Sequence, residues 1–409
     1  MEFGRGDGFE DDCVRHQHLP GFMKASTERI LVTHTGSLPR PDALRRLYVR
    51  QSRNEAIPDG ERKAAAREAV VESIRRQVAA GVDIGNDGEQ QRGAFFLDIR
   101  HRMTGFGGAW RRPARSDVLK YPSFQRVIEA QSGKREMVTA PNVSPPEAVG
   151  EISYVEPGIS PECKVFREAL QAQNGAFAEA FMTAPAPGLI ALAMRNAYYD
   201  SEQAYLDALA AALRVEYSKI AEAGFVLQID APDLGMERSR TYRDRPLSDF
   251  LDFAERAVSA INSAIGDIAP ERVRLHVCWG NSEGPHDDDV PLEDIIPVLR
   301  AARVGAWVLP FANPRHAHEY RHLDKLLVGN QAIVAGVIDT TTNYIEHPEE
   351  IAERLKRVAS VVGDPKRIIA GTDCGFDTSA GAGKIAEEIV WAKLASLAEG
   401  ARIASRDLF

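Results

Sequence analysis

Apolar positions along the chain follow two alternating rhythms. Short apolar, often β-branched runs recur eight times: RILVTH (29–34), GVDIGN (81–86), EAFMTA (179–184), FVLQID (225–230), RVRLHVC (272–278), GAWVLPF (305–311), AIVAGVID (332–339) and RIIAGT (367–372). Between them lie longer stretches with apolar residues at helical spacing. AYLDALAAALRVEYSKIAEAG (204–224) is one, closed by a glycine that suits a helix C-terminus, and EEIAERLKRVASVVG (349–363), preceded by His-Pro, is another. Eight strand–helix alternations in one chain predict an α/β fold, a (β/α)8 TIM barrel rather than an open doubly wound sheet. A dinucleotide-binding sheet would place G-x-G-x-x-G after the first run, and RILVTHTGSLPR lacks it. SAGAGK (379–384) imitates a phosphate loop but has Ile385 where Ser or Thr belongs.

Two stretches depart from the rhythm. Residues 1–25 are polar and glycine-rich without periodicity, which predicts a disordered tail; Met23 offers an alternative start. The remainder, 26–409, reads as a single barrel domain. Within it, residues 98–176 carry FGGAWRRP, the proline-rich TAPNVSPPEAVG and a hairpin expected around EISYVE (151–156). That is an inserted segment after the second strand, of a length that suits a lid over one end of the barrel.

Composition narrows the function classes. With 409 residues, 44% hydrophobic and 27% charged, the chain has material for a large core and is not of the disordered class. A net charge of −9 argues against nucleic-acid binding, and no apolar run reaches the roughly 18–20 residues that span a bilayer. Cys13, Cys163, Cys278 and Cys374 are too few and scattered for a disulfide scaffold, and the acidic start lacks a secretory apolar region. A cytoplasmic location is expected.

Catalytic groups of such barrels sit at the C-terminal ends of the strands. The polar residues here cluster at those ends: Thr33, His34 and Ser37; Asp87 and Glu89; Asp230; His276 and Cys278; Asp339; Asp373 and Cys374. In His276-Val277-Cys278, positions i and i+2 project to the same face of a strand. Imidazole and thiol therefore both point to the barrel mouth, where Cys374 arrives from the last strand. One imidazole and two thiolates suit zinc, and three protein ligands leave the open position of a catalytic site. Taken alone, however, a His-x-Cys without CxxC partners is more often a core histidine beside buried thiols. His318 and His322, spaced i and i+4, read as a solvated helix face, and the DDD at 287–289 as the acidic start of a helix.

The stretches HTGSLPRP, DIGNDGEQ, AGFVLQIDAPDL, LHVCWGN, FANPRHAHE, GVIDTTTNYIEHPE and AGTDCGF occur in order from about residue 29 to the C-terminus. In this combination the chain resembles the cobalamin-independent methionine synthase superfamily, in its shorter members that correspond to the catalytic C-terminal barrel. It is also similar to the related epoxyalkane:coenzyme M transferase branch. The resemblance implies zinc-dependent alkyl transfer to a thiol, with His276, Cys278 and Cys374 as zinc ligands and Ser37, Glu89 and Asp230 holding homocysteine.

Two positions depart from the family pattern. Pro310 stands where methionine synthases supply a fourth, glutamate ligand, and Thr341 where they place a histidine that protonates the folate leaving group. Asp339 and His347 are then the candidates for that catalytic role. Three readings stay open: methyl transfer to homocysteine giving methionine, addition of a thiol such as coenzyme M to a small electrophile, and a degenerate non-catalytic barrel. A sulfonate-tailed thiol would need a cationic partner, for which Arg40, Arg92, Arg195 and Arg315 are the candidates. The alkyl donor is not specified, and assembly into a homo-oligomer stays open.

Overall fold

In a computed structural model of the protein, residues 23–132, 137–138 and 144–409 are described. Of the expected tail, 1–25, residues 1–22 lie outside the described residues, and Cys13 with them. Met23 and Lys24 lie against the barrel base, their amides donating to the Glu271 carbonyl (3.0 Å) and to Glu179 Oε1 (3.2 Å).

The eight apolar runs form strands, all mutually parallel. They are β1 (Leu31–Val32), β2 (Ile84–Gly85), β5 (Glu179–Pro185), β6 (Val226–Asp230), β7 (Val273–His276), β8 (Ala306–Pro310), β9 (Ala332–Ile338) and β10 (Ile368–Thr372). Their order, β1-β10-β9-β8-β7-β6-β5-β2, returns to its start through a parallel bridge from Thr33 to Ile84, which closes the barrel. The Thr33 hydroxyl reinforces that seam by donating to the Ile84 carbonyl at 2.7 Å.

Period-two alternation sorts the strand side chains. Leu227, Ile229, Leu275, Trp307, Leu309 and Ile333 pack outward into the main core beneath the helices. Val226, Val308, Val334 and Ile369 turn inward, with Ile84 and Phe181, to fill the base of the barrel. Above that layer the interior becomes polar. Arg274 stacks 3.6 Å from the Phe181 ring centre and donates to Gln228 Oε1 and the His34 carbonyl. Val226-Gln228-Asp230 and Arg274-His276-Cys278 are thus two inward rows that climb from an apolar floor to the mouth.

The outer layer is helical. Glu202–Glu222 is capped by Ser201, whose hydroxyl accepts from the Ala204 amide at 3.1 Å. Pro348–Val362 ends at Gly363, whose φ of +77° suits a residue without Cβ. Other long helices are Asp59–Ala79, Leu247–Ile265 and, last, Glu387–Leu408.

The described residues between β2 and β5 include several that reach the C-terminal end of the barrel, among them Phe95, Phe96, Arg112 and Arg115. The expected local hairpin around EISYVE is not what forms there. The partner of that stretch lies far upstream: β3 (Phe106–Gly107) pairs antiparallel with β4 (Glu147–Ala148), and Met103 bridges Tyr154. Ion pairs fix the segment to the barrel wall. Arg102 grips Glu216 through two nitrogens (2.8 and 2.9 Å), while Glu162 joins Arg102 to Arg92. The DDD run does not start a helix either, since the next helix spans Leu292–Leu299. Asp287 and Asp288 instead reach Lys120 of the insertion, and the Asp289 side chain is buried against Arg115. His318 precedes and His322 ends only a short 3-10 turn, Glu319–His322.

Candidate metal centre

His276 closes β7, Cys278 follows it by two residues, and Cys374 follows β10 by two. All three are buried, and their potential ligand atoms lie within 4.8 Å of one another. The imidazole is oriented by the neighbouring strand. Asp230, the last residue of β6, sits opposite His276 in register, with Oδ1 3.0 Å from His276 Nδ1. Nδ1 is thereby committed to the carboxylate, and Nε2 finds no hydrogen-bond partner among the described residues. A buried histidine with one nitrogen held by a carboxylate and the other unpaired beside two thiols is the arrangement by which proteins aim imidazole at a metal. The donor set, one nitrogen and two sulfurs, suits a borderline-soft ion such as zinc.

Electrostatics supports the grouping. A hydrogen bond from Cys374 and the adjacent His276 hold the Cys278 thiol well below its ordinary range, while sharing that proton pushes Cys374 up. Burial opposes protonation of His276, but the Cys278 thiolate and Asp230 outweigh it and carry the imidazole up to about 10.

The cluster forms part of the wall of a cavity of about 240 Å³. Ser37, Glu89 and Asp230 line the same cavity, so five strand ends converge on it: those of β1, β2, β6, β7 and β10. Glu89 adopts a left-handed backbone (φ +56°), and its Oε1 accepts from Thr183 while Oε2 is buried without a partner. Burial, aided by Asp230 and opposed by Arg92, raises this carboxyl to about 7. Ser37 is locked by a close approach: a Cβ on Gly375 would fall 2.0 Å from its hydroxyl, and its carbonyl accepts from the Phe376 amide.

Other expected residues are placed differently. Asp339 lines a smaller recess with Pro310, Thr341 and both thiols, a recess that Glu89 does not border. Its Oδ1 accepts from the Thr341 amide and hydroxyl (2.5 and 2.7 Å). His347 is not brought to the cavity; it is exposed and caps the helix Pro348–Val362, accepting from the Glu349 amide. Asp373 acts as a clamp on the loop after β8, accepting from the amides of Phe311, Ala312 and Asn313. None of the four arginine candidates lines the cavity. Arg40 is taken by Asp377, Arg92 by Glu162, Arg195 by Glu147 at the surface, and Arg315 by the His286 carbonyl.

The cavity is roofed by residues that the sequence reading missed: Phe95, Phe96, Arg112 and Arg115 from the segment after β2, Met236 and Arg240 from the loop after β6, and Asn281 after β7. Asn281 and Arg112 lay within quoted stretches, LHVCWGN and FGGAWRRP, but nothing local says that they meet. A second group, His286, Asp289 and His316, also brings its potential ligand atoms within 4.8 Å. Here every ring nitrogen is already paired: His286 with Asp289 and Ser282, His316 with Glu319 and Asp289. The Arg115 guanidinium lies 3.3 Å from His286 Nδ1 and 2.9 Å from Asp289 Oδ1. This group is a clasp between the insertion and the loop after β7.

The family profile described as cobalamin-independent synthase, catalytic domain, matches residues 30–390. The chain belongs to this family. Among curated relatives, the methionine synthase of Sulfurisphaera tokodaii is 25% identical over 378 residues, covering 92% of this chain and 93% of that protein. That of Thermococcus kodakarensis is 26% identical over 378 residues, covering 91% and 93%. A solved B12-independent methionine synthase from Shewanella sp. W3-18-1, in complex with selenomethionine, superposes with a TM-score of 0.71. It is 21% identical and spans 93% of this chain and 99% of that one, which establishes a shared fold. As a member of this family the protein is an enzyme with a candidate metal-binding active site. Among its described residues no helix is long and apolar enough to cross a membrane.

Proposed function

We propose that this protein catalyses zinc-dependent transfer of a methyl group to the thiol of homocysteine, giving methionine. One observation carries the reading: two thiols and a carboxylate-oriented, otherwise unpaired imidazole meet at the C-terminal mouth, in the wall of a cavity that also contains two carboxylates. His276 Nε2 and the Cys278 and Cys374 sulfurs would hold the ion. Zinc bound there lowers the pKa of a substrate thiol and keeps it nucleophilic.

The protein's own groups supply the rest. Asp230 and Glu89 present acceptor oxygens to the substrate ammonium, and Ser37 offers a hydroxyl beside them. Glu89, free at Oε2 and titrating near 7, ionises when the ammonium arrives, so amine binding and proton release are coupled. Phe95, Phe96, Leu189 and Met236 give the cavity an apolar wall that limits water around the thiol. His347 leaves the catalytic set, while Asp339 stays in it as a carboxylate that shares a recess with both thiols. Thr341, tied to Asp339, has no titratable proton for a leaving group, so the donor is one that departs without acid from that position.

Metal analysis of protein kept reduced and free of chelator, followed by calorimetric titration with homocysteine and with coenzyme M, tests this directly. Stoichiometric zinc and saturable binding of homocysteine in preference to coenzyme M are expected. Zinc-free protein that still binds homocysteine, or preference for the sulfonate thiol, would refute the assignment.

A further inference from the structure

The two carboxylates of the cavity are held in the same way, by neutral side chains that buried arginines orient. Glu89 Oε1 accepts from the Thr183 hydroxyl at 2.8 Å. That hydroxyl in turn accepts from Arg92 Nη1 at 2.9 Å, and the same nitrogen donates to the Thr183 carbonyl at 3.0 Å. A guanidinium can only donate, so the Thr183 hydrogen is left to point at Glu89. Asp230 repeats the arrangement. Gln228 Nε2 donates to Asp230 Oδ1 at 2.8 Å and to the Thr35 carbonyl, while Gln228 Oε1 accepts from Arg274 Nε at 2.8 Å. Because Arg274 cannot accept, the Gln228 amide has one permitted orientation, with its nitrogen toward the carboxylate.

These residues form a layer just beneath the mouth. Thr183 on β5, Gln228 on β6 and Arg274 on β7 face one another in register across three adjacent strands, one inward step below the Asp230–His276 pair. Thr183, Gln228, Arg274 and Arg92 are all buried. Gly36 packs closely on the first pair: a Cβ there would fall 2.9 Å from Thr183 Cγ2 and 3.0 Å from Glu89 Oε1. Neither arginine forms an ion pair with the carboxylate it serves. Arg92 spends its charge on Glu162. Arg274 donates to neutral acceptors, Gln228, the Thr33 hydroxyl and the His34 carbonyl, and burial presses it down to about 9.

The spacing has a consequence for binding. A direct guanidinium–carboxylate pair is commonly bidentate and fills both oxygens. A neutral donor placed between them takes one. Glu89 keeps Oε2, buried and without a partner, and the bonds that Asp230 receives from Gln228 and His276 both fall on Oδ1.

We propose that Thr183 and Gln228 are positioning residues for an amino-acid thiol: each, oriented by a buried arginine, ties back one oxygen of Glu89 or Asp230 and reserves the other for the substrate ammonium. This deepens the homocysteine reading and rests on it for the thiol. The terminal torsion of a carboxylate side chain is soft, so Glu89, which Thr183 alone holds among the described side chains, depends on its tether more than Asp230 does.

Calorimetric titration of the zinc-loaded protein with homocysteine and with 4-mercaptobutanoate, the same thiol without its amino group, tests this without turnover. Wild type is expected to prefer homocysteine. Thr183→Val should weaken homocysteine by about tenfold or more, the scale of a hydrogen bond to a charged group, and leave 4-mercaptobutanoate affinity and zinc content unchanged. Gln228→Met should act in the same sense but less, because His276 still holds Asp230 Oδ1. Thr183→Ser, which keeps the hydroxyl, should retain the wild-type preference. A merely structural role would weaken both thiols alike. Equal losses for the two thiols, or a preference kept in full by both Thr183→Val and Gln228→Met, would overturn the inference and leave the homocysteine reading standing. A wild type that does not distinguish the two thiols would overturn both, since no ammonium would then be held. Circular dichroism checks folding; should Thr183→Val not fold, Thr183→Ala removes the hydroxyl without placing a methyl against Glu89, and is read by the same two outcomes.

Discussion

Glu89 is a carboxyl whose environment sets both its stability contribution and its binding behaviour. Its folded value near 7 stands above the ordinary 4.5, so the folded state favours the protonated form. Its contribution is complete below the unfolded value and is lost as pH rises through the folded one. Glu89→Gln removes that dependence. In chelator-treated protein the variant should therefore gain stability relative to wild type by about 3 kcal/mol between roughly pH 4 and pH 8, from about 1.4 kcal/mol per pKa unit. Denaturant unfolding at both pH values reads this; a constant difference would show that folding leaves the Glu89 carboxyl at its ordinary value. Pro310 allows a complementary gain. It borders the recess that contains both thiols, so Pro310→Glu should add an oxygen ligand and tighten zinc by about tenfold or more in competition with a chromophoric chelator. Unaltered affinity would mean that the end of β8 does not reach the ion.

The strands and their inward rows were readable because the code is local. Arg274, His276 and Cys278 alternate with Leu275 and Val277, and period two alone places them on the cavity side. The roof was not readable. Arg112 reaches the mouth because Phe106 and Gly107 pair with Ala148 and Glu147, and Met103 with Tyr154, contacts between stretches far apart in the chain, whereas EISYVE suggested a hairpin of its own. His347 misled for a related reason: His-Pro before a helix is a start signal, and the imidazole serves that start. Elements outside the barrel also hold the site loops. Lys393, on the last helix, is fully buried and contacts both oxygens of Glu346 (3.0 and 2.8 Å), and Glu346 in turn accepts from the Asp339 amide. Lys393→Met strands a buried carboxylate and should cost about 3–5 kcal/mol, seen as a lower unfolding midpoint. A loss below about 1 kcal/mol would indicate that Glu346 is neutral or hydrated.

At the scale of the whole molecule, the candidate ligands come from strands on different sides of the barrel. β7 and β10 are separated by β8 and β9 in the sheet, so an ion gripping both would tie the barrel across its mouth. Zinc in thousandfold excess over its dissociation constant should add about 4 kcal/mol to wild-type stability and raise the melting temperature by on the order of 5 °C. Cys278→Ser should lose most of that increment while melting as cooperatively as wild type without metal. An equal increment in both proteins would place the ion elsewhere. The most direct measurement is X-ray absorption at the zinc edge of the reduced protein, before and after addition of homocysteine. Two sulfurs at roughly 2.3 Å with lighter nitrogen or oxygen neighbours are expected first, and three sulfurs once the thiol is present. A shell of nitrogen and oxygen alone, or a sulfur count that homocysteine leaves unchanged, would contradict the account.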